Sequence, residues 1–110
     1  MPPKLPIGVL ASGSGSNLQS IIDHIERGRL DAEIRLVISN NPDAYALKRA
    51  AKHDIPFIII RHQEYPSRED FDHKMADTLI AAGVELVIMA GFMRVLSPLF
   101  LQTFPQRVIN

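Results

Sequence analysis

The chain has 110 residues, of which 46% are hydrophobic and none is cysteine, and its 12 basic and 12 acidic side chains give a formal net charge of zero. A domain of this length buries roughly two thirds of the surface that its unfolded chain exposes, which is enough for one hydrophobic core and too little for two independent lobes. Because the net charge is zero and Lys and Arg form no run, we do not expect nucleic acid or anionic membranes as partners. The lack of cysteine excludes thiolate metal sites and favours a cytoplasmic location.

The first half of the chain alternates apolar runs with helical periodicity. Residues 5–11 form an apolar run closed by Gly and Ser, which is typical of a buried strand. Apolar side chains then recur with helical spacing, and Gly28 stands where a helix end favours a left-handed residue. The same pattern repeats as a strand at 34–38, a turn with a helix cap at 40–43 and a helix at 44–53.

The second half of the chain continues the alternation. Ser67 opens a capping box with Asp70, and Ser97 is a cap followed by proline, so each of these serines marks a helix start. The remaining predicted elements are three strands and two helices, in chain order a strand at 56–60, a helix from Ser67 to Gly83, a strand at 86–90, a helix from Ser97 to Phe104 and a strand at 107–110. No apolar run approaches the roughly 20 residues of a membrane span.

Five strands and four helices in strict alternation predict an α/β fold, a doubly wound parallel sheet with helices on both faces. No repeat or long linker interrupts the pattern, so residues 1–110 are interpreted as one unit. No helix follows the fifth strand to cover Val108 and Ile109. We therefore expect the domain to continue, and the uncovered strand to pair with the rest of the domain or with a second copy of the chain.

The glycine-rich stretch between the first strand and the first helix is a candidate ligand site. Gly13 and Gly15 allow a sharp turn and a close approach of the backbone to a ligand, and the N–H groups of the helix start favour an anion. The stretch is not a dinucleotide fingerprint, because Leu18 occupies the third glycine position, and it lacks the Lys of a Walker loop. A single small phosphomonoester is the predicted ligand, and the alternative is an ordinary glycine turn that Ser16 caps.

A second corner, residues 90–97, lies at the same predicted edge of the sheet. Its apolar residues and Arg94 suit a flat heteroaromatic ligand. The alternative is that they form only a hydrophobic strand end with a solvated Arg. Arg68 either pairs with a ligand carboxylate or is solvated. Asn110, at the carboxyl end of a strand, either donates an N–H to an oxyanion or is a frayed polar end.

The spacing of the histidines builds no metal site, and all four are interpreted as solvated: His24, His53, His62 and His73.

Three segments carry a family resemblance: residues 11–19, the Asp-Ile-Pro at 54–56 and residues 90–98. Together they resemble the phosphoribosylglycinamide formyltransferases, the glycinamide ribonucleotide transformylases of purine synthesis. The likeness covers nearly the whole chain and the N-terminal, nucleotide-binding part of the family's Rossmann-like domain. Two relatives with the same fold, formyltetrahydrofolate deformylase and methionyl-tRNA formyltransferase, do not bind the ribonucleotide, so the intact loop at 13–17 favours the ribonucleotide enzyme.

The resemblance implies transfer of a formyl group from 10-formyltetrahydrofolate to the amine of glycinamide ribonucleotide, without a metal. It implies that Gly15, Ser16 and Asn17 hold the ribonucleotide phosphate, with Gly13 shaping the turn. The residues that it places in the folate site are Arg68, Met93, Arg94, Val95, Leu96 and Asn110. Asn110 also aligns with the catalytic Asn of the family's Asn-x-His-Pro-Ser motif.

In the family, a catalytic His and, further on, a catalytic Asp follow the position of Asn110, so we expect this chain alone to be essentially inactive and to depend on the C-terminal half of the enzyme. A non-enzymatic module that binds a phosphorylated metabolite is the alternative, and added C-terminal half should restore formyl transfer only in the first case. Replacing Gly15 by a bulky residue is expected to abolish ribonucleotide binding while leaving the fold largely intact.

Overall fold

The computed structural model describes residues 4–110. The elements in that part of the chain are β1 (Leu5–Leu10), α1 (Ser16–Glu26), β2 (Ala32–Ser39), α2 (Tyr45–Lys52), β3 (Phe57–Ile59), a 3-10 helix (His62–Glu64), α3 (Arg68–Ala81), β4 (Leu86–Met89), α4 (Pro98–Thr103) and β5 (Val108–Ile109). Each strand and α helix predicted from the sequence is present. The 3-10 helix is too short to leave a periodic pattern. None of the helices described has the length and apolar character needed to cross a bilayer.

The sheet is built outward from β1. All neighbouring strands are parallel and their order is β3-β2-β1-β4-β5, which confirms the predicted doubly wound α/β fold. In the central strand, Ile7 pairs with Ile34 of β2 on one side and with Leu86 of β4 on the other. The chain therefore adds β2 and β3 on one side of β1, and then β4 and β5 on the other side. Such a reversal opens a crevice at the carboxyl edge of the sheet, between the loop after β1 and the loop after β4, where such folds bind ligands.

Two hydrophobic cores lie on the two faces of the sheet. On one face, Leu18 and Ile22 of α1 and Ala46 and Ala50 of α2 pack over the strands. On the other face, α3, α4 and the residue that follows α4 supply a cluster of buried side chains that includes Phe71, Met75, Leu79, Phe100 and Phe104. Both faces of the sheet are covered at β1 and the second half of β2, which explains why these segments lack polar alternation, whereas the first half of β2 alternates with Glu33 and Arg35 exposed. Burying one Leu or Phe completely stabilises such a fold by about 1.5–3 kcal/mol.

The predicted starts of α3 and α4 are confirmed. Ser67 Oγ accepts a hydrogen bond from the Asp70 N–H at 3.1 Å, and Ser97 Oγ accepts one from the Phe100 N–H at 3.5 Å. Each hydroxyl satisfies one of the N–H groups that a helix start leaves without an intrahelical partner. These two starts could be read from sequence because the serine and the N–H group that donates to it are three residues apart.

The predicted helix cap in the turn before α2 is wrong. The N-cap of α2 is Ala44, and no side chain caps this helix. Asn41 Oδ1 instead accepts a hydrogen bond from the Asp43 N–H at 3.0 Å. The polar residues of this segment therefore close a turn of their own, which competes with capping for the same side-chain oxygen.

β5 forms one edge of the sheet, where its described neighbour is β4. Val108 is partly buried against the core under α3 and α4, whereas Ile109 is 49% exposed. The free edge of a strand presents unpaired backbone N–H and C=O groups. The expectation that Val108 is uncovered is thus wrong, whereas Ile109 presents an apolar side chain at this edge of the described sheet.

Candidate functional site

The glycine loop runs from the carboxyl end of β1 to the start of α1. Gly15 is the N-cap of α1 in the left-handed region, with φ 76° and ψ 21°, and no side chain caps the helix. Ser16 is the first helical residue, so the capping role that the glycine-turn alternative gave to Ser16 is wrong. The first N–H groups of a helix have no intrahelical acceptor. This helix start therefore offers backbone donors and a partial positive charge to an external anion.

Helix α2 holds the back of the glycine loop. The Ala46 N–H donates to the Gly13 carbonyl oxygen at 3.1 Å, and Arg49 Nε–H donates to the Ser14 carbonyl oxygen at 2.8 Å. The loop also approaches α2 closely at Gly15, where a Cβ would lie 2.6 Å from Ala46 Cα. Two consecutive loop carbonyls thus point at α2, and the loop rests on the helix backbone.

The close approach at Gly15 overturns one sequence-derived expectation. A larger residue there would meet the backbone of α2. It would also need a left-handed φ, which residues other than glycine adopt at a cost of about 1–2 kcal/mol. A bulky replacement of Gly15 therefore disturbs the packing of α1 against α2, and the expectation that it leaves the fold largely intact is wrong. Gly13 differs, because a Cβ there would have no neighbouring atom within 4 Å.

A small cleft opens on the side of the loop that faces β4. Its volume is about 140 Å³, and its lining residues are Gly13, Ser14, Gly15, Ser16, Asn17, Ala90 and Gly91. Sites that enclose a whole cofactor occupy roughly 300–1,000 Å³. The size of the cleft therefore suits one compact group. All four predicted phosphate-binding residues are brought together in its wall.

Ser12 joins three strand ends at the floor of the site. Its side chain is buried, and its Oγ donates to Asn40 Oδ1 at 2.7 Å and accepts from the Met93 N–H at 2.9 Å. Sequence reasoning did not single out Ser12 or Asn40. The available signal was their position, since each is a polar residue directly after a buried strand at the edge where parallel strands end.

An open groove of about 580 Å³ lies beside the cleft, along the segment after β4. Its lining residues are Met89, Phe92, Met93, Arg94, Val95, Leu96, Leu101, Val108 and Asn110. Met93 and Val95 are 81% and 75% exposed, whereas Leu96 is buried. Four of the residues predicted for a flat heteroaromatic ligand, at positions 93–96, therefore lie in one wall of an apolar groove.

The Arg94 side chain is half-buried. Its guanidinium lies over the Phe71 ring, 5.6 Å from the centroid, and its Nε is buried with no hydrogen-bond partner among the residues described. Arg68, the first residue of α3, is exposed and lines neither the cleft nor the groove. The structure thus gathers Arg94 into the candidate site and leaves Arg68 outside it.

Asn110 lines two spaces at this edge of the sheet. It lines the apolar groove, and it also lines a further cleft of about 380 Å³ whose wall includes Asn17 and Ser20 of α1. Asn110 is therefore shared by the apolar groove and this further cleft, and it does not line the small cleft of the glycine loop. Another cleft, of about 500 Å³, lies at the amino ends of β2 and β3, away from the edge where parallel sheets bind ligands.

The prediction that all four histidines are solvated is wrong for two of them. His53 Nδ1 lies 2.8 Å from Glu26 Oε2, and its side chain is only 19% exposed. His62 packs edge-on against Phe71 with ring centroids 6.2 Å apart, and its Nδ1 is buried. His53 follows α2 and His62 begins the 3-10 helix, and both side chains pack against a neighbouring residue. Hydrophobic periodicity does not reveal such contacts. Within residues 4–110, no three side chains of the metal-ligating types are grouped around a common point.

The family model for formyl transferases matches residues 5–110 of the chain. The chain is 46% identical over 110 residues to the trifunctional purine biosynthetic protein adenosine-3 of Drosophila pseudoobscura, covering 98% of this chain and 8% of that protein. It is 39% identical over 104 residues to the phosphoribosylglycinamide formyltransferase of Haemophilus influenzae, covering 94% of this chain and 49% of that enzyme.

Among solved structures, glycinamide ribonucleotide transformylase 1 from Symbiobacterium toebii superposes with a TM-score of 0.94 at 42% sequence identity, covering 98% of this chain and 51% of that one. The chain thus spans about half the length of these two enzymes. The family resemblance predicted from the sequence is confirmed.

Proposed function

Because the chain belongs to the formyl transferase family, we propose that it carries the ribonucleotide-phosphate site and part of the folate site of a phosphoribosylglycinamide formyltransferase. That enzyme moves a formyl group from 10-formyltetrahydrofolate to the amine of glycinamide ribonucleotide in purine synthesis. The observation that carries the proposal is the uncapped start of α1, which opens into a cleft of about 140 Å³. A cytoplasmic location remains a prediction.

The phosphate is assigned to the cleft formed by the glycine loop. Gly15 places the chain in the left-handed region, so that the N–H groups of Gly15, Ser16 and Asn17 follow one another around the start of α1. Successive backbone N–H groups in such a turn bind anions, and the helix dipole adds a partial positive charge. The limited volume favours one phosphomonoester over a dinucleotide.

The folate ring is assigned to the apolar groove. The exposed side chains of Met93 and Val95 give the ring two apolar contacts, and the backbone of the same segment can hydrogen-bond the polar edge of a flat heterocycle. Arg94 stacked on Phe71 adds a cationic group to this wall. The assignment of Arg68 to a carboxylate of the folate remains a prediction, because this residue is exposed and lies outside the groove.

Asn110 is assigned to the reacting centre. Attack of the substrate amine on the formyl carbon forms a C–N bond and places negative charge on the formyl oxygen, where the Asn110 carboxamide can donate an N–H. The intermediate collapses by breaking the bond to the folate nitrogen, and a proton passes from the substrate nitrogen to the leaving nitrogen. Removing one oxyanion donor typically lowers kcat by about 10²–10³. The acid–base roles of the family's His and Asp are not assigned to any residue of this chain.

The free edge of β5 is assigned to a pairing interaction. Its apolar, half-exposed Ile109 and unpaired backbone groups favour a further strand beside it, and the related enzymes are about twice as long as this chain. The proposed occupant is the C-terminal half of such a domain, and a second copy of the chain is the alternative.

The test is calorimetric titration of the chain with three ligands: glycinamide ribonucleotide, the same compound without its phosphate, and tetrahydrofolate. We expect the phosphate-free compound to bind at least about tenfold more weakly, since charge-assisted hydrogen bonds are worth about 1.5–3 kcal/mol. Equal affinity for the two compounds would overturn the phosphate assignment.

The titration with tetrahydrofolate distinguishes the formyltransferase from the alternative functions. Binding of tetrahydrofolate together with the ribonucleotide supports the formyltransferase. Binding of phosphate compounds alone favours the non-enzymatic module that holds a phosphorylated metabolite. Binding of tetrahydrofolate alone favours a relative such as the deformylase, which uses the same folate chemistry without the ribonucleotide.

A further inference from the structure

We infer that Arg49 is a positioning residue for the anion cleft, because its guanidinium holds the Ser14 carbonyl against α2 and thereby turns the Gly15 N–H toward the bound phosphate. This inference rests on the proposed function, since it assumes that the cleft binds an anion. Arg49 itself lies on α2, outside the residues that line the cleft.

Arg49 connects three parts of the chain. Its Nε–H donates to the Ser14 carbonyl oxygen at 2.8 Å, and its Nη1 donates to Gln19 Oε1 at 3.3 Å. Gln19 belongs to α1 and Ser14 belongs to the loop before it. A guanidinium donor makes a charge-assisted bond, which is shorter and stronger than a bond between neutral groups. The side chain therefore fixes the loop and the start of α1 to the same helix.

The bond to Ser14 sets the direction of the next donor. The carbonyl of Ser14 and the N–H of Gly15 belong to one planar trans peptide, in which the two groups point in opposite directions. With the carbonyl oxygen on Arg49, the Gly15 N–H is directed away from α2. The bond from the Ala46 N–H to the Gly13 carbonyl does the same for the Ser14 N–H. No residue of α2 as described lines the cleft, so the side away from α2 is the side of the cleft.

The guanidinium is itself held in place. Its central carbon lies 4.8 Å from the centroid of the Tyr45 ring, one turn earlier in α2. A Cβ on Gly15 would lie 3.1 Å from Arg49 Cδ, so the stem of Arg49 packs directly under the loop. Stacking on an aromatic ring and packing of the stem limit the rotamers of an Arg side chain.

The charge of Arg49 is not neutralised by an ion pair within residues 4–110: the ion pairs of that part of the chain involve Arg35, His53 and His73. A cation behind a partly buried loop adds a favourable potential for an anion on the other side, and this potential is screened less than that of exposed charges. Arg49 therefore acts in two ways, through the orientation of the Ser14 peptide and through its charge.

The test compares three variants of the chain by calorimetric titration with glycinamide ribonucleotide. Arg49→Leu removes the donor and the charge, and we expect a loss of affinity of roughly tenfold or more. Arg49→Lys retains the charge and one donor, and we expect it to recover most of that loss. The matched control is Lys52→Leu, which removes an exposed cation from the same helix and should change the affinity by less than about twofold.

Amide NMR of the same variants reports on the geometry. In the wild type we expect the Gly15 amide proton to move downfield when the ribonucleotide binds, as it does on forming a hydrogen bond to an anion, and in Arg49→Leu this shift should shrink. A folded Arg49→Leu variant with wild-type affinity and the wild-type Gly15 shift would overturn the inference. Equal losses in Arg49→Leu and Lys52→Leu would overturn it as well, because they would report only the net charge.

If Arg49→Leu does not fold, Arg49→Gln replaces it in the titration. This variant keeps a donor of similar reach and loses the charge. We expect Arg49→Gln to bind the ribonucleotide several-fold more weakly than the wild type, and unchanged affinity would overturn the role of the charge. A wild-type chain that shows no preference for the phosphorylated compound would instead overturn the proposed function, so the two failures are distinguishable.

Discussion

The hydroxyl of Ser12 accepts a hydrogen bond from the backbone N–H of Met93 at 2.9 Å, although the two residues are 81 positions apart in the chain. The same hydroxyl donates to Asn40 Oδ1 at 2.7 Å. This side chain, together with the backbone hydrogen bond from the Ser12 N–H to the Gly91 carbonyl oxygen at 3.2 Å, fixes the glycine loop to the segment that forms the apolar groove. The Ser12 contacts therefore help to hold the two proposed ligand sites at a fixed distance, alongside the pairing of β1 with β4.

We expect Ser12→Ala to lower the free energy of unfolding by about 1–3 kcal/mol, because it leaves the Met93 N–H and the Asn40 side chain without their partner. Chemical denaturation of the variant and the wild type measures this difference. Ser20→Ala is the matched control, since Ser20 is exposed on α1 and its replacement should change the stability by less than about 0.5 kcal/mol. Equal effects of the two substitutions would argue against a role for the Ser12 contacts.

The two loop glycines should respond differently to the same methyl group. Gly15→Ala requires a left-handed φ and places a Cβ 2.6 Å from Ala46 Cα, so we expect a loss of stability of about 2–4 kcal/mol. Gly13→Ala places its Cβ in open space, and its stability should equal or slightly exceed that of the wild type. Thermal and chemical denaturation measure both. A Gly15→Ala variant as stable as Gly13→Ala would contradict the close approach of the loop to α2.

Asp72 should stabilise the start of α4. Its side chain is buried, and its Oδ2 accepts a hydrogen bond from the Ser97 N–H. Asp72→Ala leaves that N–H unpaired in the core, and we expect a loss of about 1.5–3 kcal/mol in the free energy of unfolding. Asp77→Ala on the same helix removes an exposed partner of His73 and should cost less than about 1 kcal/mol. Similar losses in the two variants, measured by urea denaturation, would be inconsistent with this assignment.

The edge of β5 should make the chain associate with itself in the absence of another strand. We expect the sedimentation coefficient to rise with concentration, and Ile109→Lys to suppress this rise, because a charged side chain on an edge strand opposes pairing. Leu30→Lys is the control, since Leu30 is a 39% exposed apolar residue outside β5. A compact monomer at high concentration, or equal suppression by both substitutions, would contradict pairing at this edge.

The sequence was informative wherever the interacting groups are close together in the chain. The buried runs gave the strands, and apolar spacing gave the helices. Ser67 and Ser97 each lie three residues before the N–H that they cap. The loop at 13–17 could be located from the sequence because its glycines and the helix start are consecutive, and its anion site stays a prediction. For these features the physical determinant is local, so one stretch of sequence contains all of it.

The tertiary structure alone decided the contacts between distant segments. Arg49 and Ser14 are 35 positions apart, and His53 and Glu26 are 27 apart. Neither pair leaves a local pattern, and the same is true of Ser12 with Met93. Parallel strands bring such residues together because each crossover returns the chain to the same edge of the sheet. The sequence by itself therefore determined the order of elements and the position of the glycine loop, whereas the sheet decided which side chains support that loop and how closely its glycine approaches α2.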